Sequence, residues 1–561
     1  MTALPSDSTS DARIESLVSR WGAAIIVACA LLLTSGLWWH TVHGHSYPLN
    51  LSWHEGFVRE MRGGAVYPRW LTSTNQGLGA PSFYFYAPLP FFVSSLLDIA
   101  WPLRSSAAVF VNASATAAIV CSGLAMFSIV RRTCSPTGAL LAAVVYMAMP
   151  YHLGIDLWWR SALGELWAFV WSPLIIAGAY RQWRGESWGA ELLCAAWVGL
   201  ILSHLPSFLI TICGATCATT MWWWFSPDRT TVRRVIVHSV PAIALAVAVT
   251  AGYWFPALTT RGYADVTRFM TSSWFQYSNN FVLPYQPGSW NGTIEILLLL
   301  MLVALCVLSY LALRWQRHRA ITFSMAVACV LAAAFMLTPA SDVIWRAIPP
   351  LQRVQFPWRF LLLIDVGLVF LLAHVLDAPE AARARRRMVR ALPLLSLIIG
   401  TAFPRVFTPD YATAVAADLE ATLRTRADAN EYRTRWTPVP FFYGVRNGDT
   451  VVARRTGAGA RTPDAKGRVR FANGQPTSSA VVLNRFWYPS LRVLNEATGV
   501  ALDARPESAT GLAVITVPAG IQTVRVVTVL LPEERRAWTV SAVAVFFALG
   551  WIARRRLSVA A

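Results

Sequence analysis

The sequence predicts a polytopic all-α membrane bundle of about twelve spans, with an outer interfacial helix and a C-terminal β-sandwich-like domain. Three observations predict it. Charged residues make up 14 % of the 561-residue chain and apolar residues 55 %, where soluble domains carry about 25 % charged residues. The apolar residues gather in repeated runs of the roughly 20 residues that a bilayer-crossing helix needs. The arginines gather in short clusters between those runs, as the positive-inside rule requires of cytoplasmic loops. Soluble, fibrous and disordered classes are excluded, and so is a single anchor on a soluble enzyme.

The elements follow in order. Residues 1–19 are polar and rich in Ser and Asp, and are expected to form a disordered cytoplasmic tail. The run 21–39 is too long for a signal-peptide core and lacks a small-residue cleavage site, so it should remain as an anchor. Arg13 and Arg20 place its start inside. Further spans are expected at 106–130, 136–152, 165–180, 187–203, 206–224, 235–256, 292–313, 320–338, 360–377, 391–403 and 537–553. With alternating direction, the clusters at 131–132, 181–184, 229–234, 314–319, 383–390 and 554–556 all land on the cytoplasmic side. The stretch 81–103 carries several prolines and clustered Phe and Tyr, which suits a helix lying in the outer interface.

The expected bundle is therefore 20–403, with outer loops 40–104, 257–291 and 339–359. Residues 404–536 form an extracytoplasmic β-rich domain, and 537–561 the last span and a basic tail. Asn447-Gly448 and Asn473-Gly474 are turn signals, and 479–484, 512–517 and 523–530 are rich in Val, Ile and Thr. No internal repeat is visible, which disfavours a repeat-built transporter.

A net charge of +19 raises the question of nucleic acid. All but one of the 48 basic residues are arginine, Lys466 being the exception, and no basic face with interleaved aromatics occurs. No nucleic-acid partner is expected. The eight cysteines lie almost all within apolar runs and form no Cys-x-x-Cys pair, so they read as small buried apolar residues and not as a metal or redox centre.

Polar groups that carry chemistry concentrate on the expected outer side. The first loop holds Asn50, His54, Glu55 and Arg69. The run 153–165 holds Asp156, Trp159, Arg160 and Glu165, and His204 stands at a hairpin tip. Residues 351–360 contribute Arg353, Gln355, Trp358 and Arg359, and Glu431 follows in the β-rich segment. Asp365, by contrast, lies inside a span, where ionisable groups are functional candidates by default. Each also has a purely structural interpretation. Arg160 and Glu165 would pair across a helix turn, His204 would cap a helix, Arg353 and Arg359 would anchor at the interface, and Glu55 would be a solvated loop carboxylate.

These residues carry a resemblance. Tyr67-Pro-Arg-Trp-Leu71, Gly77-Leu-Gly-Ala-Pro81, Phe83-Tyr-Phe-Tyr86 and Pro88-Leu-Pro90 resemble the first-loop signature of bacterial YfhO-type membrane proteins. Those include the group labelled "6-pyruvoyl-tetrahydropterin synthase-related". Arg160-Ser-Ala-Leu-Gly-Glu165, Ser203-His204, Gln355-Phe-Pro-Trp-Arg-Phe360 and Glu431-Tyr432 continue the match, and Phe486-Trp-Tyr-Pro489 resembles the family's outer β-domain. The pterin label does not transfer its chemistry, because the histidines here are scattered.

The family is similar in architecture to GT-C glycosyltransferases. That resemblance implies a GT-C-like bundle in a bacterial plasma membrane, with both termini cytoplasmic. It implies transfer of a sugar from a polyprenyl-phosphate donor to an extracytoplasmic glycan or lipid acceptor, with inversion. Glu55 would be the base, with His54 orienting it or the acceptor. Arg160, Arg353 and Arg359 would hold the carrier phosphate, with Glu165 orienting Arg160. Tyr84, Trp159 and Trp358 would stack on sugar or isoprenoid. Asn50, Arg69, His204, Gln355 and Glu431 would complete the substrate-binding set. Relatives often carry an acid four residues before the loop histidine, where this chain has Asn50. An amide is no base, so Glu55 would substitute or the site would bind without transferring. No metal ligand set is predicted; a divalent cation is left open. The other class considered is a transporter or assembly protein for envelope polysaccharide, which the nearly charge-free span interiors disfavour.

This topology makes a direct prediction. A cysteine introduced after residue 450 should react with a membrane-impermeant maleimide in intact cells, while one at residue 10 should react only after lysis. Protection of the first site would invert the map.

Overall fold

A computed structural model describes residues 6–40, 42, 44–101, 103, 105–265, 273–283, 290–315, 321–407, 426, 428–429, 432–438, 444–446, 449–451, 461–464, 467–473 and 477–560. The chain is a multi-span helical membrane bundle with a small C-terminal antiparallel sheet region. It divides into two compact units, each assembled from separate stretches of sequence. The first comprises Met1–His45, Asn112–Val247 and Ser273–Pro409, and the second Ser46–Val111, Ala248–Ser272 and Asp410–Ala561. The first loop and residues 248–272 belong with the C-terminal part.

Among the described residues ten helices are long and apolar enough to cross a membrane, eleven if one bent pair counts as a span. Two of the twelve expected spans fall short. The run 187–203 forms a 15-residue helix, Gly189–Ser203, under the length a bilayer demands. The run 320–338 yields Phe323–Met336 and then turns by 90° into Pro339–Ala347. Pro339 has no N–H to continue the helical ladder, which is why the break falls there. Elsewhere helices exceed their apolar runs. The first begins at Ser6, so the expected tail 1–19 is helical from residue 6. The run 391–403 becomes the helix Ala382–Val406, because arginines can extend a span by keeping their heads in the polar layer.

In the first unit, Leu163–Trp183 and Gly189–Ser203 form a tight helical hairpin, and Ile321–Met336 packs on Leu361–Leu376. Ser6–Leu33 packs against both Pro136–Ala148 and Ala382–Val406. The last contact depends on Gly400, where an added Cβ would stand 2.1 Å from the Leu32 carbonyl oxygen. The helix starting at Pro136 is capped by Ser135, whose Oγ accepts from the Gly138 N–H at 3.3 Å. At Pro150 its winding widens to a π-helical segment, Pro150–Trp159, and the Arg160 N–H reaches the Ile155 carbonyl at 2.9 Å. Such wide turns are rare and frequent at functional sites.

In the second unit, much of the expected loop 40–104 is helical. Tyr47–Arg62 packs on Leu89–Ala100. The latter is a 12-residue apolar helix, too short to cross, as the proline-rich sequence around it suggested. Among the described residues ten strands are found: β1 (Asp428–Ala429), β2 (Gly444–Arg446), β3 (Asp449–Val451), β4 (Arg468–Asn473), β5 (Ser479–Phe486), β6 (Leu491–Asn495), β7 (Ala501–Leu502), β8 (Ala504–Pro506), β9 (Leu512–Val517) and β10 (Gly520–Thr528). They form sheets of order β1-β2-β3, β4-β10-β6-β7 and β5-β9-β8. The second and third share a core of Val469, Leu483, Leu491, Val493, Ala513, Ile515, Val517 and Val524, with the alternation that a two-layer β-sandwich requires.

A register shift lies between Val482 and Phe486 in β5. Bulges of this kind re-aim side chains. Here Arg485 donates to the Thr72 carbonyl at 2.7 Å and the Phe486 N–H to that of Leu78 at 2.8 Å. Trp70, Tyr84, Phe486, Tyr488, Leu512 and Leu531 close over the contact as a second apolar cluster. The 67–90 and 486–489 motifs, some 400 residues apart in sequence, therefore pack on each other.

Gly400→Ala should force Ser6–Leu33 and Ala382–Val406 apart, at a cost of roughly 1–3 kcal/mol. A lowered Tm in detergent is expected, while Gly262→Ala, whose Cβ meets nothing within 4 Å, leaves Tm unchanged. Equal Tm values for the two variants would contradict the close crossing.

Candidate functional site

In the first unit a cluster of buried charge lies where the π-helical segment ends. Asp156 belongs to its last turn, Arg160 caps it, and Glu165 stands in the first turn of Leu163–Trp183. Arg359 comes from a 3-10 turn, Pro357–Phe360, that leads into Leu361–Leu376. Arg160 Nη1 donates to Asp156 Oδ1 at 2.6 Å and to Glu165 Oε2 at 2.8 Å. Arg359 Nε lies 3.3 Å from the same Glu165 oxygen, and its Nη1 donates to the Val354 carbonyl at 2.7 Å. The Tyr151 hydroxyl donates to Glu165 Oε1.

Glu165 is 1 % exposed and Asp156 0 %, whereas the Arg160 side chain keeps 15 %. Both carboxylate bonds of Arg160 fall on Nη1, so Nη2 and Nε remain for another acceptor. Trp358 underlies the pair, with the Arg160 guanidinium 4.6 Å and that of Arg359 5.9 Å from its ring centroid. Trp290 continues the aromatic wall, at 5.5 Å from Trp358 and 4.9 Å from Trp159. Isolated buried ions cost several kcal/mol each. Two guanidiniums against two carboxylates make the burial tolerable and hold the cations in one place.

His204 takes the helix-capping place. Its Nδ1 accepts from the Ser207 N–H at 3.3 Å and lies 2.7 Å from Ser207 Oγ. Burial drives its pKa down to about 3, against the opposing charge of Glu165, so the ring is neutral near pH 7. Burial, helped by the Arg160 charge, likewise lowers His45. Gln355 adopts a left-handed backbone at φ 70, a strained conformation of the kind that clusters at functional sites. Arg353 is exposed, whereas Arg359 is buried. Glu431 lies outside the described residues.

In the second unit Glu55 is 37 % exposed and pairs with Arg426 at 3.1 Å. Its neighbour in sequence, His54, does not orient it. His54 Nδ1 lies 2.9 Å from Ser94 Oγ and Nε2 3.1 Å from Asp98, which Arg62 also holds at 2.7 Å. The two helices Tyr47–Arg62 and Leu89–Ala100 are clasped through this ring. Burial lowers the His54 pKa despite Asp98. Successive residues on a helix point about 100° apart, which is why His54 and Glu55 take different partners. Asn50, on the same helix, is buried.

Arg69 and Tyr84, named from the sequence as substrate-binding, are both held by Glu534. Arg69 Nε pairs with Glu534 Oε1 at 2.6 Å, and the Tyr84 hydroxyl donates to Oε2 at 3.1 Å. Arg69 also donates to the Gly252 carbonyl and lies 4.2 Å over the Tyr67 ring.

Two acidic residues were missed in the sequence. Glu534 opens the last span two residues after Pro532 and reads as an ordinary first-turn acid. Asp428 is 0 % exposed and accepts from Trp53 Nε1 at 2.6 Å and Ser82 Oγ at 2.7 Å. Its own N–H donates to Asn75 Oδ1 at 3.0 Å. Burial pushes its carboxyl up to about 6, with the Ser82 and Trp53 bonds resisting. Among the described residues no three His, Cys, Asp or Glu side chains gather as a metal site.

No family model matches the chain, and no curated protein does. Several solved structures are similar to it at low identity. The mycobacterial arabinofuranosyltransferase AftD is 15 % identical with a TM-score of 0.44, over 90 % of this chain and 40 % of that one. ArnT from Cupriavidus metallidurans, solved bound to undecaprenyl phosphate, is 16 % identical with a TM-score of 0.39, over 74 % and 71 % of the two chains. An oligosaccharyltransferase from Archaeoglobus fulgidus is 12 % identical with a TM-score of 0.44, over 79 % and 62 %. The chain thus spans about two-fifths of the length of AftD.

Glu534→Ala should leave the Arg69 guanidinium buried without its carboxylate. Breaking such a pair costs roughly 3–5 kcal/mol, so the variant should melt well below the wild type in detergent. Replacement of Glu534 with no change in Tm would show that Arg69 has another anchor and is open to a substrate role.

Proposed function

We propose that this chain is a membrane glycosyltransferase of the bacterial plasma membrane. It moves a sugar from a polyprenyl-phosphate-linked donor to an extracytoplasmic glycan or lipid acceptor. The observation that carries this reading is the Arg160–Arg359 pair, set by Glu165 and Asp156 beside a wall of tryptophans. A forked cation with donors left over suits a phosphate, because two parallel N–H bonds meet two phosphate oxygens. The neighbouring indoles of Trp358, Trp290 and Trp159 offer flat apolar faces to sugar or isoprenoid. Four first-unit residues named from the sequence, Trp159, Arg160, Trp358 and Arg359, thus have chemistry that fits the carrier.

In this reading Glu55 is the base. It takes the proton from the acceptor hydroxyl as the oxygen attacks the anomeric carbon. The bond to the carrier phosphate breaks, the phosphate leaves with the electron pair of that bond, and the anomeric centre inverts. Of the acids considered, Glu55 is the half-exposed one, and its pairing with Arg426 can exchange for an acceptor. Asp156, Glu165, Asp428 and Glu534 are all committed to buried donors.

Two variants separate the roles. Glu55→Gln keeps size but takes no proton, so transfer from a radiolabelled polyprenyl-phosphate donor should fall roughly 10²–10⁴-fold with donor affinity retained. Arg160→Lys keeps the charge that Glu165 and Asp156 need but loses the fork. It should raise the donor KM roughly tenfold and leave kcat nearly intact. Wild-type transfer in both variants would overturn the reading.

A further inference from the structure

A second amphiphilic feature lies in the second unit, at the point where the sheet hands the chain to the last span. Val529, Leu530, Leu531 and Pro532 line a cavity of about 570 Å³ whose walls carry Arg492 and Arg535. Its frame is well defined. Leu491 of β6 pairs with Thr528 of β10, and the Val529 N–H donates to the Ser490 carbonyl at 2.8 Å. The span itself, Pro532–Arg554, starts at the cavity rim. The cavity therefore stands where a bilayer's polar layer gives way to hydrocarbon, and Trp538, 38 % exposed, has the amphipathic ring typical of that depth.

The two arginines are not spent elsewhere. Arg492 Nη1 donates to the Pro489 and Leu491 carbonyls at 2.9 and 3.0 Å, which fixes the side chain and leaves Nη2 and Nε. Arg535 is exposed in the first turn of the helix. Among the described residues neither has a carboxylate partner, and the nearby Glu534 is occupied by Arg69. Beside them Leu530 is 49 % exposed. On the topology expected from the arginine clusters this is the outer end of the span. The positive-inside rule offers no reason for cations there, whereas an anion would.

We propose that this cavity binds an anionic phospholipid of the surrounding bilayer, its phosphate between Arg492 and Arg535 and its upper acyl chain over Val529 and Leu530. Two guanidiniums above an apolar floor match such an amphiphile in charge and in order of polarity. The occupant is a bilayer lipid, so this inference stands independently of the sugar-transfer reading.

Native mass spectrometry of the full chain, titrated with phosphatidylglycerol, tests it. The double variant Arg492→Gln, Arg535→Gln should bind phosphatidylglycerol roughly tenfold more weakly, the loss expected when hydrogen bonds to a charged group are removed. Arg536→Gln, one residue beyond the cavity, should bind as the wild type does. If the double variant does not purify as a monodisperse protein, Arg535→Gln alone should still weaken binding severalfold. Unchanged binding in the cavity variants would overturn the proposal. So would an equal loss in Arg536→Gln, which would mean general charge attraction. Displacement of the lipid by millimolar inorganic phosphate would overturn it too, since phosphate alone would then be the ligand.

Discussion

A guanidinium enters an apolar bundle only with a carboxylate beside it, and much of this architecture is organised around meeting that condition. In the first unit Glu165 faces Arg160 and Arg359 at once, at 2.8 and 3.3 Å. One carboxylate therefore joins the end of the π-helical segment to the turn before Leu361–Leu376. Asp156 supplies the second negative charge. With the charges balanced, the cluster can sit among Trp358, Tyr151 and Trp290 without the several kcal/mol that an unpaired ion would cost. The same balance pins the guanidiniums, and pinned donors bind an anion with less ordering loss than free ones.

The second unit meets the condition differently. Arg69 is cancelled by Glu534 at the start of the last span, and Asp428 is held by the neutral donors Trp53 and Ser82. Among the described residues no cation pairs with Asp428, and burial lifts its carboxyl to about 6. Both acids reach across hundreds of residues to the first-loop segment, and with the Arg485 bulge they hold that segment against the sandwich. Several of the aromatic and basic residues in the 67–90 motif are spent on this attachment.

Asp365 stands apart from both arrangements. It is fully buried well inside the span Pro357–Leu376, yet the described ion pairs do not include it. The proposed chemistry makes no use of it. Its burial without a described ion pair sets it apart from Asp156 and Glu165, which pair with Arg160.

By itself the sequence determined the class and most of the elements. Runs of some 20 apolar residues, an arginine rhythm and Val/Ile-rich segments depend on local chemistry, and nearly every expected span and strand has a counterpart. The pairing of Arg160 with Glu165, five residues apart, and the capping place of His204 were legible for the same reason. Only the tertiary structure decided the rest. The break at Pro339, the shortness of Gly189–Ser203 and the helix Tyr47–Arg62 depend on how neighbours pack around polar turns. The partnering of Arg69 and Tyr84 with Glu534, some 450 residues away, and of His54 with the facing helix depends on the packing of distant segments. A charged residue's role is set by the partner that neutralises it. When that partner lies far along the chain, no local pattern announces it.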